Sequence, residues 1–328
     1  MVSLCFEEKG GCLLNLGRLD DAATAYEECI RRAENLRDNR EIAVGKIQLG
    51  TVRYSQRCYP EALKAYEEAR KQFNALDEPG SVAVSWHQTG MVYQEMEKPD
   101  AAEDAYRKSL AIKVQLGDVA GQASTLGQLG NLYNDVLDRP EEAAAFYLQS
   151  ADNYVKIGDV ANEGRTRNNL AKTLRKLHRL DEARQEILRA IECDAQFGHA
   201  SQPWTGWAIL ANIERDARNP VAAAKAKRKA IACYFAYRRD GGENHYKDGR
   251  LALAVSQLLL AGEVDSAAKL LEQLAAHPDA GKLLSFIQAL QAIVAGSRDS
   301  TLADAPNLDH TMAAEILLLI ETLEKRGL

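Results

Sequence analysis

The chain has 328 residues, a formal net charge of −6 and 46% hydrophobic residues, with 8 prolines in all. Rich in Ala, Leu, Glu, Lys, Arg and Gln, it is no disordered chain and leans to helix; a pI of about 5.7 argues against a dedicated nucleic-acid binder. No apolar run reaches the roughly 18 residues that cross a bilayer, and the six cysteines form no CxxC pair, which suits reduced thiols and a cytoplasmic setting.

From the N-terminus onward the predicted elements are helix pairs in one repeating unit of 40 residues. The first, 3–38, begins at the chain start with Cys5 and Phe6 already in the pattern, and turns at Arg18-Leu19-Asp20-Asp21. The second, 39–78, turns at Cys58-Tyr59-Pro60-Glu61. The third, 79–118, is entered through Asp77-Glu78-Pro79-Gly80 and turns at Lys98-Pro99-Asp100. The fourth, 119–159, is entered through Gly117-Asp118 and turns at Arg139-Pro140-Glu141. The fifth, 160–199, follows Gly158-Asp159, and the sixth, 200–240, turns at Arg218-Asn219-Pro220. Pro or an acid at a helix start and Gly-Asp at a junction are the expected stop and cap signals.

Five series hold these units in register. A small residue recurs at Gly10, Gly50, Gly90, Gly130, Ala171 and Ala211, with one 41-residue step between 130 and 171. An alanine follows at 22, 62, 102, 143, 183 and 223, then Tyr26, Tyr66, Tyr106, Tyr147 and Ile187, a series that lapses at Lys227. A second small residue stands at Cys29, Ala69, Ser109, Ser150, Ala190 and Ala230, and a large apolar one closes each unit at Leu36, Leu76, Leu116, Ile157, Phe197 and Tyr237. The small positions should let paired helices approach closely, with the tyrosine and the closing residue filling the gap to the next hairpin. Trp86 and Trp207 fall on a bulky packing position, Trp204 on an exposed turn, and Lys225, Lys227, Arg228 and Lys229 on a solvated convex edge.

After 240 the register breaks. Asp240-Gly241-Gly242-Glu243-Asn244 reads as a turn, 251–260 and 264–274 as a degenerate seventh hairpin, and 280–296 and 309–326 as capping helices around the loop 297–308.

Trp86-x-x-Thr89-Gly90-x-x-Tyr93 with Ala102-x-x-x-Tyr106, and Leu126-x-x-Leu129-Gly130-x-x-Tyr133 with Ala143-x-x-x-Tyr147, resemble the tetratricopeptide signature. The unit is longer than the usual one, and in that respect is similar to the arrays of kinesin light chains, spindle-orientation adaptors and bacterial signalling proteins. The resemblance covers roughly residues 3–240 and implies an all-α, right-handed superhelical solenoid of antiparallel hairpins, with 241–328 as a divergent helical cap. It also implies a concave groove lined by the first helix of each unit.

On that helix the residues three and six before the reference small residue, and one and four after it, share a stripe. The stripe is Val44, Ile47, Thr51 and Tyr54 in the second unit, and Val84, His87, Met91 and Gln94 in the third. It turns polar with Asn131 and Asn134 in the fourth, basic with Arg165, Asn168, Lys172 and Arg175 in the fifth, and keeps Asn212 and Arg215 in the sixth. Residues 161–240 carry sixteen Lys/Arg against nine Asp/Glu, a balance of +7. Asparagine pairs with a peptide main chain and Arg or Lys with carboxylates. These eight residues therefore resemble a peptide clamp of the family, which implies an acidic or carboxyl-terminal segment as ligand.

Chemistry beyond binding has no signal. The six histidines lack metal spacing, and no GxxxxGK[ST], GxGxxG or GxSxG motif occurs, so neither a cofactor nor an enzyme is expected. The leading reading is an adaptor that binds a protein or peptide, with neither a membrane nor a nucleic acid as its target. Two others stand beside it: a sensor segment of a larger signalling protein coupled to a nucleotide-switch ATPase or caspase-like protease, and a structural spacer that self-assembles into homo-oligomers.

Overall fold

The computed structural model describes residues 2–244, 246–305 and 307–328; side chains at 2–7, 247, 279 and 282 fall outside that description, and with them the readings placed on Cys5, Phe6 and His245. The described residues are all helix, turn and loop, with no strand among them. They form two compact units, 1–177 and 178–328.

The first unit stacks α1 (Val2–Asn15), α2 (Leu19–Leu36), α3 (Asn39–Ser55), α4 (Tyr59–Ala75), α5 (Pro79–Glu95), α6 (Pro99–Gln115), α7 (Val119–Asn131), α8 (Pro140–Ile157) and α9 (Val160–Lys176). Each helix packs on its neighbours in sequence, so the unit is an α-helical repeat stack. Helix starts obey the sequence signals: Pro stands in the first turn of α4, α5, α6 and α8, and the carboxylates of Asp118 and Asp159 accept from the N–H groups of Gly121 and Asn162. Glu78 departs from its expected capping role. Its carboxylate instead accepts from Arg40 Nε at 2.7 Å and Ser81 Oγ at 3.1 Å.

Every turn in this unit contains one left-handed residue, at Gly17, Arg37, Arg57, Asp77, Glu97, Gly117, Asp138 and Gly158. Such a residue reverses the chain while returning N–H groups to the last helical carbonyls: Arg37 N–H reaches Glu34 O at 3.0 Å and Asp38 N–H reaches Ala33 O at 2.9 Å. The spacing is twenty residues except for the step to Asp138, which carries the additional residue of the fourth repeat. That residue is absorbed where α7 runs into a wider π-helical stretch, Leu132–Val136, closed by Leu137 N–H on Leu132 O at 3.0 Å. A π-turn takes up one residue without breaking the helix.

The close approach of paired helices has one repeated cause. A Cβ placed on Gly10, Gly50, Gly90 or Gly130 would lie 2.6 Å from a ring carbon of Tyr26, Tyr66, Tyr106 or Tyr147. Each tyrosine thus lies flat on the glycine of its own hairpin, fully or almost fully buried, and Tyr26 and Tyr66 also share buried clusters with Val52 and Val92 of the next hairpin. The closing apolar residues, expected to fill the gap between hairpins, do not: Leu36 is 75% exposed, and Leu76, Leu116 and Ile157 are exposed as well. They fall in or beside the left-handed turns, where the chain leaves the packed face.

The second unit holds α10 (Leu180–Asp194), α11 (Trp204–Asp216), α12 (Pro220–Arg239), α13 (Lys247–Leu260), α14 (Val264–Ala275), α15 (Leu284–Val294) and α16 (His310–Arg326). Phe197, expected to pack, is exposed here too. Arg184 grips Glu214 through Nε at 2.5 Å and Nη2 at 3.2 Å, tying α10 to α11. Val255, Leu271, Phe286, Leu290, Ile316 and Leu323 form an apolar core among α13 to α16. Trp204 is the first residue of α11 and only 3% exposed, against the expected exposed turn; it packs on Tyr234 and Tyr237 with ring centroids 5.3 and 4.9 Å apart.

The last helix is locked back onto α12. Glu315 accepts from Arg238 Nε at 2.7 Å, Tyr234 OH at 3.2 Å and Asn244 Nδ2 at 3.2 Å, so one buried carboxylate joins α12, the following turn and α16. Burial pushes the Glu315 carboxyl up, and Arg238 opposes it.

Candidate functional site

In the first unit the first helices of successive hairpins meet through side chains. His87 on α5 lies 3.1 Å from Thr125 Oγ1 on α7, and Thr173 on α9 donates to Asn134 Oδ1 in the π-helical stretch after α7 at 3.3 Å. Within the first unit these bonds link stripe residues to the first helix of a neighbouring hairpin, and other stripe side chains are held by tyrosines of the second helices. Tyr147 OH donates to Asn131 Oδ1 at 2.7 Å, Tyr106 OH to Gln94 Oε1 at 3.1 Å, and Tyr66 OH to Thr51 Oγ1 at 3.2 Å. The buried tyrosines thus orient stripe residues. Asn131 also donates to Gln128 at 3.3 Å and Asn134 to Asp135 at 2.6 Å, so both are half-buried and engaged, not free on a solvent-facing surface.

On α9, Arg165 and Lys172 are exposed, Arg165 touching Asn162 Oδ1 at 3.3 Å, while Asn168 and Arg175 are half-buried. Asn168 Oδ1 is buried and has no hydrogen-bond partner. An acceptor left so is costly unless a ligand or solvent donor reaches it. These four residues occupy one face of α9 at helical spacing. Asn134 itself lies in the π-helical stretch, a kind of irregularity often found at functional sites.

The sequence reading missed a polar knot beside this stripe. Lys113 on α6 is buried and donates to Thr125 Oγ1 at 2.9 Å, the same oxygen that meets His87. Burial, reinforced by Lys113, pulls the His87 pKa down to about 4, and burial lowers that of Lys113. His87 is therefore wedged in the stripe as a neutral ring, edge-on to Tyr106 at 5.6 Å. Trp86 is half-buried between Arg70 and Lys108, whose cationic groups sit 3.7 and 4.5 Å from its ring centre.

The second unit contains a cavity of about 590 Å³ lined by Asn212 and Arg215 of α11, Lys227 of α12, and Asp309, His310 and neighbours at the start of α16. Its size is that of small-molecule and peptide-anchor pockets. Lys227 contradicts its reading as part of a solvated edge: it is half-buried and lines the cavity, while Lys225, Arg228 and Lys229 are exposed. Burial lowers its pKa first and Arg215 adds to the effect, with Asp304 and Asp309 opposing. Lys227 stands where earlier repeats carry tyrosine or isoleucine, a lapse visible in the sequence; the part played by His310 left no local signal.

Among the described residues no group of three or more His, Cys, Asp or Glu could hold a metal ion, and no helix is long and apolar enough to cross a membrane. Cys29 and Cys193 are buried, whereas Cys12 is exposed.

Family profiles described as tetratricopeptide repeat match residues 6–36, 41–113 and 121–196. No curated protein matches the sequence. Solved structures do. BtubC (BKLC) from P. vanneervenii is similar with TM-score 0.61 and 16% identity, over 70% of this chain and 95% of that one. The apo form of RapI gives 0.57 and 13%, over 100% and 99%. A signal transduction ATPase with numerous domains and a tetratricopeptide repeat sensor, from Pyrococcus horikoshii, gives 0.58 and 16%, over 99% of this chain and 47% of that one. At these identities the likeness is one of fold.

Proposed function

We propose, from the premise that this chain belongs to the tetratricopeptide repeat family, that it is an interaction scaffold whose polar and basic stripe captures an acidic or carboxyl-terminal segment of a partner protein. The fold is that of a protein-interaction scaffold. What supports the finer reading is α9, where Arg165 and Lys172 are exposed on the face that also carries the unpartnered, buried Asn168 Oδ1. At the end of α7 and in the π-helical stretch after it, Asn131 and Asn134 are already oriented by Tyr147 and Thr173, which lowers the entropy lost on binding. An extended peptide would take main-chain bonds from the amides and place its carboxylates against the two cations. In the second unit Asn212 and Arg215 offer the same pair of groups.

Equilibrium binding of acidic peptides to the parent and to Arg165→Glu with Lys172→Glu tests this. The double charge reversal should weaken binding by at least tenfold; equal affinities would eliminate the α9 face. A second reading, a sensor segment within a larger signalling protein, draws on the alignment of 99% of this chain with 47% of the Pyrococcus horikoshii ATPase. Sequencing the flanking reading frame decides it: a switch ATPase or protease domain in frame supports that reading, and stop codons on both sides remove it.

A further inference from the structure

The sixth repeat departs from the others at the start of its first helix. Seven residues before the reference small residue, the second to fifth repeats carry Ala43, Ala83, Ala123 and Gly164, all buried, and the sixth carries Trp204. An indole cannot take the space of a methyl group, so its neighbours must be arranged around it. Trp204 meets Tyr234 and Tyr237 of α12 with ring centroids 5.3 and 4.9 Å away. Tyr234 in turn meets Tyr246, just before α13, at 6.1 Å, and Tyr237 meets His199 at 5.8 Å.

These five rings line a cavity of about 220 Å³, together with Glu243 from the turn after α12. Trp204 and Tyr234 are its buried side, at 3% and 1% exposure, whereas Tyr237 is half-buried and Tyr246 and His199 reach solvent. Tyr234 OH donates to Glu315 at 3.2 Å and Tyr237 OH to Glu243 O at 3.1 Å, so both hydroxyls are engaged and the rings present π-surface. Both arginines that end α12 turn their charge to α16: Arg238 Nε lies 2.7 Å from Glu315, and Arg239 Nη2 lies 3.5 Å from Glu321. On the cavity side stand Glu243 and, 3.0 Å from His199 Nε2, the carboxylate of Asp240. The volume is below the roughly 300–1,000 Å³ that encloses a whole small molecule, so it suits a head group.

We propose that this cavity is an aromatic cage for a methylated ammonium group, held against Tyr237, Tyr246 and the Trp204 side with Glu243 as its counter-charge. The negative face of an aromatic ring attracts a cation, and the attraction grows as water is shed. An unmodified lysine ammonium is compact and strongly hydrated and resists that loss. A quaternary ammonium has no N–H to satisfy, which matches a site whose tyrosine hydroxyls already have partners. The cage is independent of the acid-binding reading of α9 and selects the opposite charge.

Titration calorimetry on the full chain tests the cage with four probes: choline, its uncharged carbon isostere dimethylbutanol, and one short peptide carrying either lysine or trimethyllysine. Tyr246→Leu removes a ring from the solvent-exposed side and should fold as the parent does, Tyr246→Phe keeps the ring, and Glu243→Gln removes the counter-charge. Binding of choline assigns the cage to free amines, and binding of the trimethyllysine peptide without choline assigns it to a modified segment of a partner protein. In either case the cation should bind at least tenfold tighter than its control, Tyr246→Leu and Glu243→Gln should each weaken it several-fold, and Tyr246→Phe should bind as the parent does. No binding of either cation by the parent, equal binding of dimethylbutanol and choline, or undiminished affinity in both Tyr246→Leu and Glu243→Gln overturns the cage.

Discussion

Two glycines three residues apart in α7 should respond oppositely to the same substitution. At Gly127 an added Cβ meets only Ser150 Oγ at 3.5 Å, an ordinary contact. At Gly130 it would lie 2.6 Å from Cδ1 and Cε1 of Tyr147 and 3.0 Å from Cγ. Carbon atoms rest about 3.5–4.0 Å apart, so the ring or the helix must give by about 1 Å. Tyr147 is 3% exposed and its hydroxyl is held by Asn131, which leaves it no free direction. Both substitutions gain the same helix propensity, about 1 kcal/mol. Overpacking a filled core costs about 1–3 kcal/mol and applies at Gly130 alone. Gly127→Ala should therefore stabilise the chain by about 1 kcal/mol, and Gly130→Ala should fall below it by about 1–3 kcal/mol. Urea denaturation followed by circular dichroism, with the slope compared across variants, reads the difference. Tyr147→Ile should cost less in the Gly130→Ala background than in the parent, by about 1 kcal/mol, since that pair is the one the fifth repeat carries as Ala171 and Ile187. Equal effects at the two glycines, or strict additivity with Tyr147→Ile, would refute the ring-on-glycine account of hairpin packing.

Other consequences concern pH and the last helix. Burial and the nearby Lys113 hold the His87 pKa at about 4, below its unfolded value of roughly 6.5. The stability linked to this neutral ring is thus complete above the unfolded value and is lost as pH falls towards the folded one, amounting to about 2 kcal/mol by pH 5. His87→Gln, which keeps a partner for Thr125, should lack that component; denaturation of parent and variant at pH 7 and pH 5 should show it, and parallel losses would contradict it. Glu315→Ala leaves the Arg238 guanidinium buried without its carboxylate and should cost about 3–5 kcal/mol. Hydrogen exchange should then quicken in α12 and α16 and stay unchanged in α3 to α6, whereas protection retained in α16 would show that Glu315 is not its lock.

Much of the fold was legible because repeats state the same packing problem several times. Gly50, Gly90 and Gly130 share one environment because each faces a tyrosine supplied at the same offset. The Gly-Asp junctions could be read locally, since a left-handed residue followed by a carboxylate cap needs only its own neighbours. Leu36 and Leu116 misled because apolar character at a periodic position does not say whether the chain has already turned away from the packed face. Arg57, Glu97 and Asp138 gave no warning that they adopt the left-handed conformation, because the turn imposes it on whichever residue stands there.

Of the candidate site, the stripe's composition and helical spacing were matters of sequence alone, as was the lapse from tyrosine to Lys227. Which oxygens of Asn131 and Asn134 are already engaged was decided by Tyr147 and Thr173, 16 and 39 residues further along. That Lys227 borders a cavity and not open solvent was decided by the start of α16, placed there in part by the bonds of Glu315 to Tyr234 and Arg238, 81 and 77 residues away in sequence. Periodicity and turn chemistry are short-range properties and survive in one dimension. The environment of a charge depends on what folds back against it, and only the packed chain determines that.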